Sequence, residues 1–160
     1  MYALGFLTLL LGRANLAAGQ VLVQRYEVTD GLPQTQVSCI AEDSLGYLWV
    51  GTLGGGVSKF DGVRFENFGM ENGLTNNIIR DILPESPDLV WVATQKGLAQ
   101  LKGENFDVVW EDHLEDVYPL KLFLKNHQLG FISNEYKLGM IRGDSILYPI
   151  HDTLISQPLS

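Results

Sequence analysis

The chain has 160 residues, 46% hydrophobic and 19% charged, an ordinary globular mixture that excludes disordered, collagen-like and coiled-coil chains. Eleven basic and 19 acidic residues leave a formal net charge of −8, so no nucleic-acid partner is expected, because phosphate binding needs clustered Lys and Arg. Seventeen glycines, 10% aromatics and a lone Cys39 indicate a turn-rich β protein without a disulfide inside the chain.

The first apolar run, Leu4 to Gly12, is too short for a membrane span of about 20 residues and has the size of a secretory signal core. Ala17-Ala18-Gly19 supplies the small residues that a signal peptidase needs before its cut. Residues 1–19 are therefore expected to be a signal peptide, with residues 20–160 as the mature chain. No Lys or Arg precedes the run and Arg13 follows it, which leaves a buried N-terminal helix or strand as the other reading.

Sliding the sequence against itself exposes a repeat. Asp30-Gly31-Leu32, Asn72-Gly73-Leu74, Asp112-His113-Leu114 and Asp152-Thr153-Leu154 are spaced by 42, 40 and 40 residues. In the first two units Val37 matches Ile79, Ile40 matches Ile82, Trp49-Val50 matches Trp91-Val92, and Thr52 matches Thr94. In the third, Phe131 is expected in the Trp place, Asn134 in the Thr place and Ile141 in the place of Leu101. Val21, Val23 and Tyr26 lie 42 residues before Val63, Phe65 and Phe68, so residues 21–27 are expected to be the closing strand of a last blade missing from this chain.

The first unit predicts four strands, at Val37–Ala41, Tyr47–Thr52, Gly56–Phe60 and Arg64–Phe68, parted by glycine and polar turn residues. Leu48-Trp49-Val50 is apolar on both faces, whereas a sheet with one wet face alternates. A four-stranded sheet every 40 to 45 residues, covered on both sides by copies of itself, is the arithmetic of a β-propeller blade. The expected fold is all-β: about three four-stranded antiparallel blades, near 30–69, 72–110 and 112–150, in an incomplete ring. Trp49 and Trp91 would fill the space between blades, Asp43 and Gly46 would shape the first hairpin turn, and Asp61-Gly62 the third. A fourth unit begins at Asp152 and stops inside its first strand, so the chain is expected to be an N-terminal fragment.

Asp30-Gly31-Leu32-Pro33, the run from Glu42 to Thr52, the stretch Gly56 to Gly62 and Phe65 together resemble the two-component regulator propeller repeat. Asn72 to Ile79, Leu89 to Thr94 and Lys96-Gly97-Leu98 repeat it, and residues 112–149 do so faintly. The resemblance implies the periplasmic sensor region of a hybrid two-component histidine kinase anchored in the inner membrane. It implies as partners an oligosaccharide or other small periplasmic ligand, the remaining blades and signalling modules of the parent protein, and a second copy in a homodimer. The kinase would lie outside these residues, so the chain itself is not expected to be an enzyme. The other readings are an exported interaction scaffold and, further off, a propeller lyase or glycosidase.

No catalytic, cofactor-binding or metal-binding residue can be nominated. His113, His127 and His151 lack the close spacing of a zinc site, and Glu111 to Asp116 lacks the glycine and alternating ligands of a calcium loop. Gly54-Gly55-Gly56 has no Lys-Ser/Thr or helix after it and reads as a hairpin turn rather than a phosphate cradle. Asp43-x-x-Gly46-x-x-Trp49 approaches the Asp-box of sialidases with one residue too many, and Arg25, Arg64, Arg80 and Arg142 share no motif that would gather them on a substrate carboxylate.

Overall fold

The structure, a computed structural model, describes residues 23–111, 117–142, 145–150 and 153–158. The expected signal peptide lies outside the described residues. Among the described residues, thirteen strands form three antiparallel sheets. The first contains β1 (Val37–Glu42), β2 (Leu48–Thr52), β3 (Val57–Phe60) and β4 (Phe65–Phe68), in that order. The second contains β5 (Ile79–Ser86), β6 (Leu89–Thr94), β7 (Gly97–Lys102) and β8 (Asn105–Glu111). The third contains β9 (Pro119–Lys125), β10 (Gln128–Ser133), β11 (Leu138–Arg142), β12 (Ser145–Ile150) and β13 (Thr153–Pro158). The first strands of successive sheets approach each other, β1 against β5 and β5 against β9, so the sheets stack as blades.

The first and second blades are entered through the repeated Asp/Asn-Gly-Leu signature. Val28–Asp30 and Met70–Asn72 are single 3₁₀ turns. The Asp30 carboxylate accepts the Glu27 amide at 2.7 Å, and the Asn72 side-chain oxygen accepts the Gly69 amide at 3.0 Å. Gly31 (φ 109°) and Gly73 (φ 94°) then end the turns in the left-handed region, which glycine enters without steric cost. Leu32 and Leu74 follow as buried anchors.

Between the first two blades lies one apolar cluster. Trp49, Val57 and Phe68 from the first blade meet Ile79, Ile82, Val92 and Phe106 from the second. Trp49 stacks on Phe68 at 6.1 Å, and Phe68 meets Phe106 edge-on at 5.6 Å. Gly51 is small because the next blade leaves no room: a Cβ there would lie 2.5 Å from Cys39 Sγ and 2.7 Å from Ile79 Cγ2. A second cluster joins the second blade to the third through Ala93, Leu98, Trp110, Leu122, Phe131 and Ile146.

Residues 23–27, expected to close a blade outside this chain, are unpaired among the described residues, and Tyr26 packs edge-on against Phe60 at 4.8 Å. Two expectations need correction. The 40-residue spacing at Asp152 marks no new unit in the described chain, because Thr153–Pro158 pairs antiparallel with β12 as a fifth strand of the third sheet. The third unit is also one residue out of step. Phe131 pairs with Leu122, as Val50 pairs with Ile40 and Val92 with Ile82, so Phe131 occupies the Val50/Val92 position and Gly130 the tryptophan position.

A one-residue slip carries a side chain to the opposite face of its sheet. Phe131 thus points back toward the second blade and stacks on Trp110 at 5.8 Å. Phe123 occupies the space beside Gly130, where a Cβ would lie 2.3 Å from its ring. Ser133, not Asn134, takes the threonine place: the Ser133 amide donates to Lys137 O at 2.9 Å, as the Thr52 amide does to Gly56 O at 3.0 Å. Its side-chain oxygen accepts the Lys137 amide at 3.2 Å, just as Thr52 Oγ1 accepts Gly55 and Thr94 Oγ1 accepts Lys96, each at 3.0 Å.

Asp43 pins the first blade's tryptophan. One carboxylate oxygen accepts the Leu45 and Tyr47 amides at 2.9 and 3.1 Å, and the other accepts Trp49 Nε1 at 3.0 Å. In the second blade Glu85, 42 residues after Asp43, takes over the indole: Trp91 Nε1 donates to it at 3.1 Å, at an exposed position. Burial pushes the Asp43 carboxyl up, but the bonds from Trp49, Leu45 and Tyr47, with the Lys59 charge, outweigh it and hold the group below its ordinary value. A carboxyl lowered in the folded state contributes stability above its unfolded value, near pH 4, and loses it as pH falls through the folded value.

Asp43→Ala should therefore cost about 2–3 kcal/mol at pH 7, since it strips a buried indole N–H of its acceptor, while Glu85→Ala should cost under about 1 kcal/mol. Denaturant melts of the two variants check the order. The deficit of Asp43→Asn relative to the parent chain should shrink as pH drops below about 4. A deficit that stays constant would contradict this reading.

Equivalent positions also differ in exposure. Ile82 is 5% exposed and Val90 0%, whereas Ile40 and Leu48, their counterparts in the first blade, are 63% and 36% exposed. With Val37 these residues make an open apolar sheet face, and such faces drive association. Light scattering of the 160-residue polypeptide should show concentration-dependent self-association, which Ile40→Glu reduces. Clean monomers of the parent chain at high concentration would refute the expectation.

Candidate functional site at the seam of the second and third blades

The first strand of each blade carries the same β-bulge. The ladder slips between Val37 and Cys39, between Ile79 and Asp81, and between Pro119 and Lys121, leaving Ser38, Arg80 and Leu120 as the extra residues. A bulge re-aims neighbouring side chains. Cys39, Asp81 and Lys121 consequently hold the same register position in three adjacent first strands, where the blades come closest.

At the seam of the first and second blades this position is uncharged. Burial pushes the Cys39 thiol up, and Asp81 adds to this, against the opposing bonds from Ser38 and the Gly51 amide and the charge of Lys121. A thiol so held stays protonated and is a poor nucleophile. The seam of the second and third blades is polar. Asp81, buried, accepts Lys121 Nζ at 2.7 Å with one oxygen and the Leu122 backbone amide at 2.7 Å with the other, so one carboxylate clasps two blades. Beside it, Arg80 places its guanidinium carbon 4.9 Å from the Tyr118 ring centre. Tyr118 is itself fixed, its amide donating to Asn134 Oδ1 and its carbonyl accepting the Asn134 amide, each at 2.9 Å.

None of Arg80, Asp81, Tyr118 or Lys121 was marked as a site by the sequence. The available signal was the repeat itself: at one register position the period of 42 and 40 residues aligns Cys39 with an acid and then a base.

A second cleft lies on the outer part of the first blade, about 390 Å³ in volume and lined by Tyr47, Lys59, Asp61, Arg64, Phe65 and Glu66. Lys59 Nζ sits 4.4 Å above the Tyr47 ring and 5.3 Å from that of Trp49. The Gly54 and Gly56 amides both donate to Asn77 O at 3.0 Å and the Gly55 amide to Thr52 Oγ1 at 3.0 Å, so this turn has no amide left for a phosphate. The Asp-box-like Asp43 is committed to the tryptophan clasp. Arg25 pairs with Glu27, Arg64 sits in the β3–β4 turn, Arg80 is on β5 and Arg142 on β11, so the arginines are dispersed. His127 occupies the β9–β10 turn; His113, His151 and the acidic residues 112–116 lie outside the described residues. Among the described residues no three His, Cys, Asp or Glu side chains gather as metal ligands, and no helix is long and apolar enough to cross a membrane.

Comparison with known proteins matches residues 31–54 to the family model described as two component regulator propeller. No curated protein matches. Among solved structures, the chain is similar to the extracellular domain of the putative hybrid two component system BT4673 from B. thetaiotaomicron, at 18% identity and a TM-score of 0.53 over 81% of this chain and 17% of that one. The same domain, described elsewhere as a putative one component system, gives a TM-score of 0.54 with the same identity and coverage. The extracellular domain of the putative hybrid two component system BT3049 from B. thetaiotaomicron gives 23% identity and a TM-score of 0.51, over 85% of this chain and 19% of that one. The chain thus spans under a fifth of the solved chains it resembles. The repeat, its spacing and the stacked sheets make this polypeptide a run of β-propeller blades that carries the two-component regulator propeller repeat.

Proposed function

We propose that the chain is a section of an exported sensor propeller belonging to a membrane-bound two-component signalling protein. Its role is to bind, at the loops and seams around the propeller axis, an oligosaccharide or another small ligand of the periplasm. Binding changes the arrangement of a homodimer of the parent protein, and the change reaches a cytoplasmic kinase module that these residues do not supply. The chain itself is a binding element and not an enzyme.

The observation that carries this reading is the coincidence of the family match at residues 31–54 with a blade array similar to extracellular domains of hybrid two component systems. The seam chemistry supports it. A propeller built for packing alone would favour apolar seams such as that between the first two blades, whereas Arg80, Asp81, Tyr118 and Lys121 set polar groups at the second.

The coding sequence around codons 1–160 tests the proposal directly. An in-frame continuation into further blades, a membrane helix and a kinase or other output module is the expected result. A stop codon directly after codon 160, with no signalling partner in the same frame, would refute the sensor assignment. A soluble ligand of the proposed class, at about 100 times its Kd, should also raise stability by roughly 2.7 kcal/mol in thermal melts.

A further inference from the structure

We infer that Arg80, stacked on Tyr118 at the seam of the second and third blades, receives the carboxylate of a small anionic ligand such as a sugar acid. The inference rests on the sensor reading above and assigns the ligand class of that site.

The guanidinium has no carboxylate partner among the described residues of a chain that carries 19 acidic residues. Its Nε is shielded from solvent and makes no hydrogen bond. A desolvated donor without an acceptor is unfavourable, and a charged one more so. An arginine retained purely for packing would be expected to find one of the many acids. Its nearest acid in sequence, Asp81, is already filled by Lys121 Nζ and the Leu122 amide, so the pair is neutral and Arg80 keeps a positive charge of its own.

What does hold Arg80 is an aromatic face. Packing over the Tyr118 ring holds the guanidinium without occupying its N–H groups, and Asn134 in turn fixes Tyr118 through both of its backbone groups. A planar fork of N–H donors with a phenolic O–H nearby is matched to a planar carboxylate, which accepts several such bonds at once. The bulge at Arg80 supplies the aim, since it turns consecutive residues, Arg80 and Asp81, toward the third blade. Ser38, the corresponding residue of the first blade, offers no charge.

Calorimetric titration of the 160-residue chain at low ionic strength tests this, with D-galacturonate as probe, D-galactose as its neutral counterpart and inorganic sulfate as a non-carboxylate anion. The Nε–Hε resonance of Arg80 should shift with galacturonate. Galactose and sulfate should bind at least tenfold more weakly. Arg80→Gln should lose at least tenfold in galacturonate affinity, Arg80→Lys should retain part of it, and Tyr118→Phe should lose a few-fold with an unchanged melting temperature. Unaltered galacturonate binding in Arg80→Gln, galactose or sulfate binding as tight as galacturonate, or no binding of galacturonate would each overturn the inference. A melting temperature lowered in Arg80→Gln with affinity intact would mark Arg80 as a packing residue. None of these results bears on the reading frame beyond codon 160, which decides the sensor assignment separately.

Discussion

A four-stranded sheet that is apolar on both faces has two surfaces to remove from water, and a second copy of the same sheet is the surface that matches it. This is the constraint on which the molecule depends. Ile82 and Val90 are buried because the first blade covers them, while the corresponding Ile40 and Leu48 stay exposed with no described neighbour. Close stacking then dictates size. Gly51 and Ala93 are small where first strands converge, and the indole of Trp49 fills the wider space between sheets. The buried indole N–H of Trp49 requires an acceptor, which Asp43 provides, and Glu85 serves the exposed indole of Trp91 from the corresponding place in its blade.

Much of this order could be read from the amino-acid sequence because blade packing is periodic and local. The turn Asp61-Gly62, the strand run around Trp49 and the Asp/Asn-Gly-Leu entry turns all use short-range hydrogen bonds or glycine geometry, which residue types reveal directly. The third blade could not be registered in the same way. Phe131 with Asn134 and Gly130 with Ser133 both preserve the three-residue step from Trp49 to Thr52, and a strand apolar on both faces gives no alternation to choose between them. The hydrogen bonds of Ser133 settle the register, and they exist only in three dimensions.

The end segments obey a related rule. Periodicity assigns a strand-like pattern to residues 21–27 and a unit start to Asp152, but a strand exists only with a partner. Residues 23–27 have none among the described residues, and Thr153–Pro158 finds one in β12. Pattern gives the capacity for pairing, and tertiary context decides whether it is used. The polar seam was hidden for the same reason, because Arg80 and Asp81 acquire meaning only when β9 is laid beside β5.

The two seams show how a repeat can hold structure and acquire chemistry together. Both use the same bulge, the same register and the same converging first strands, so the backbone is a constant. At the first seam Ser38 and Cys39 add nothing charged, and apolar packing with a tight Gly51 contact closes the gap. At the second, Asp81 gains a bond to a backbone amide of the next blade, which ties the blades together, while the neighbouring Arg80 has no carboxylate partner among the described residues. A carboxylate that clasps a backbone and a lysine is structural, and beside it stands a guanidinium whose Nε is desolvated and unbonded among the described residues. The repeat therefore explains where the seam is, and Arg80 and Asp81 mark where the second seam departs from the first.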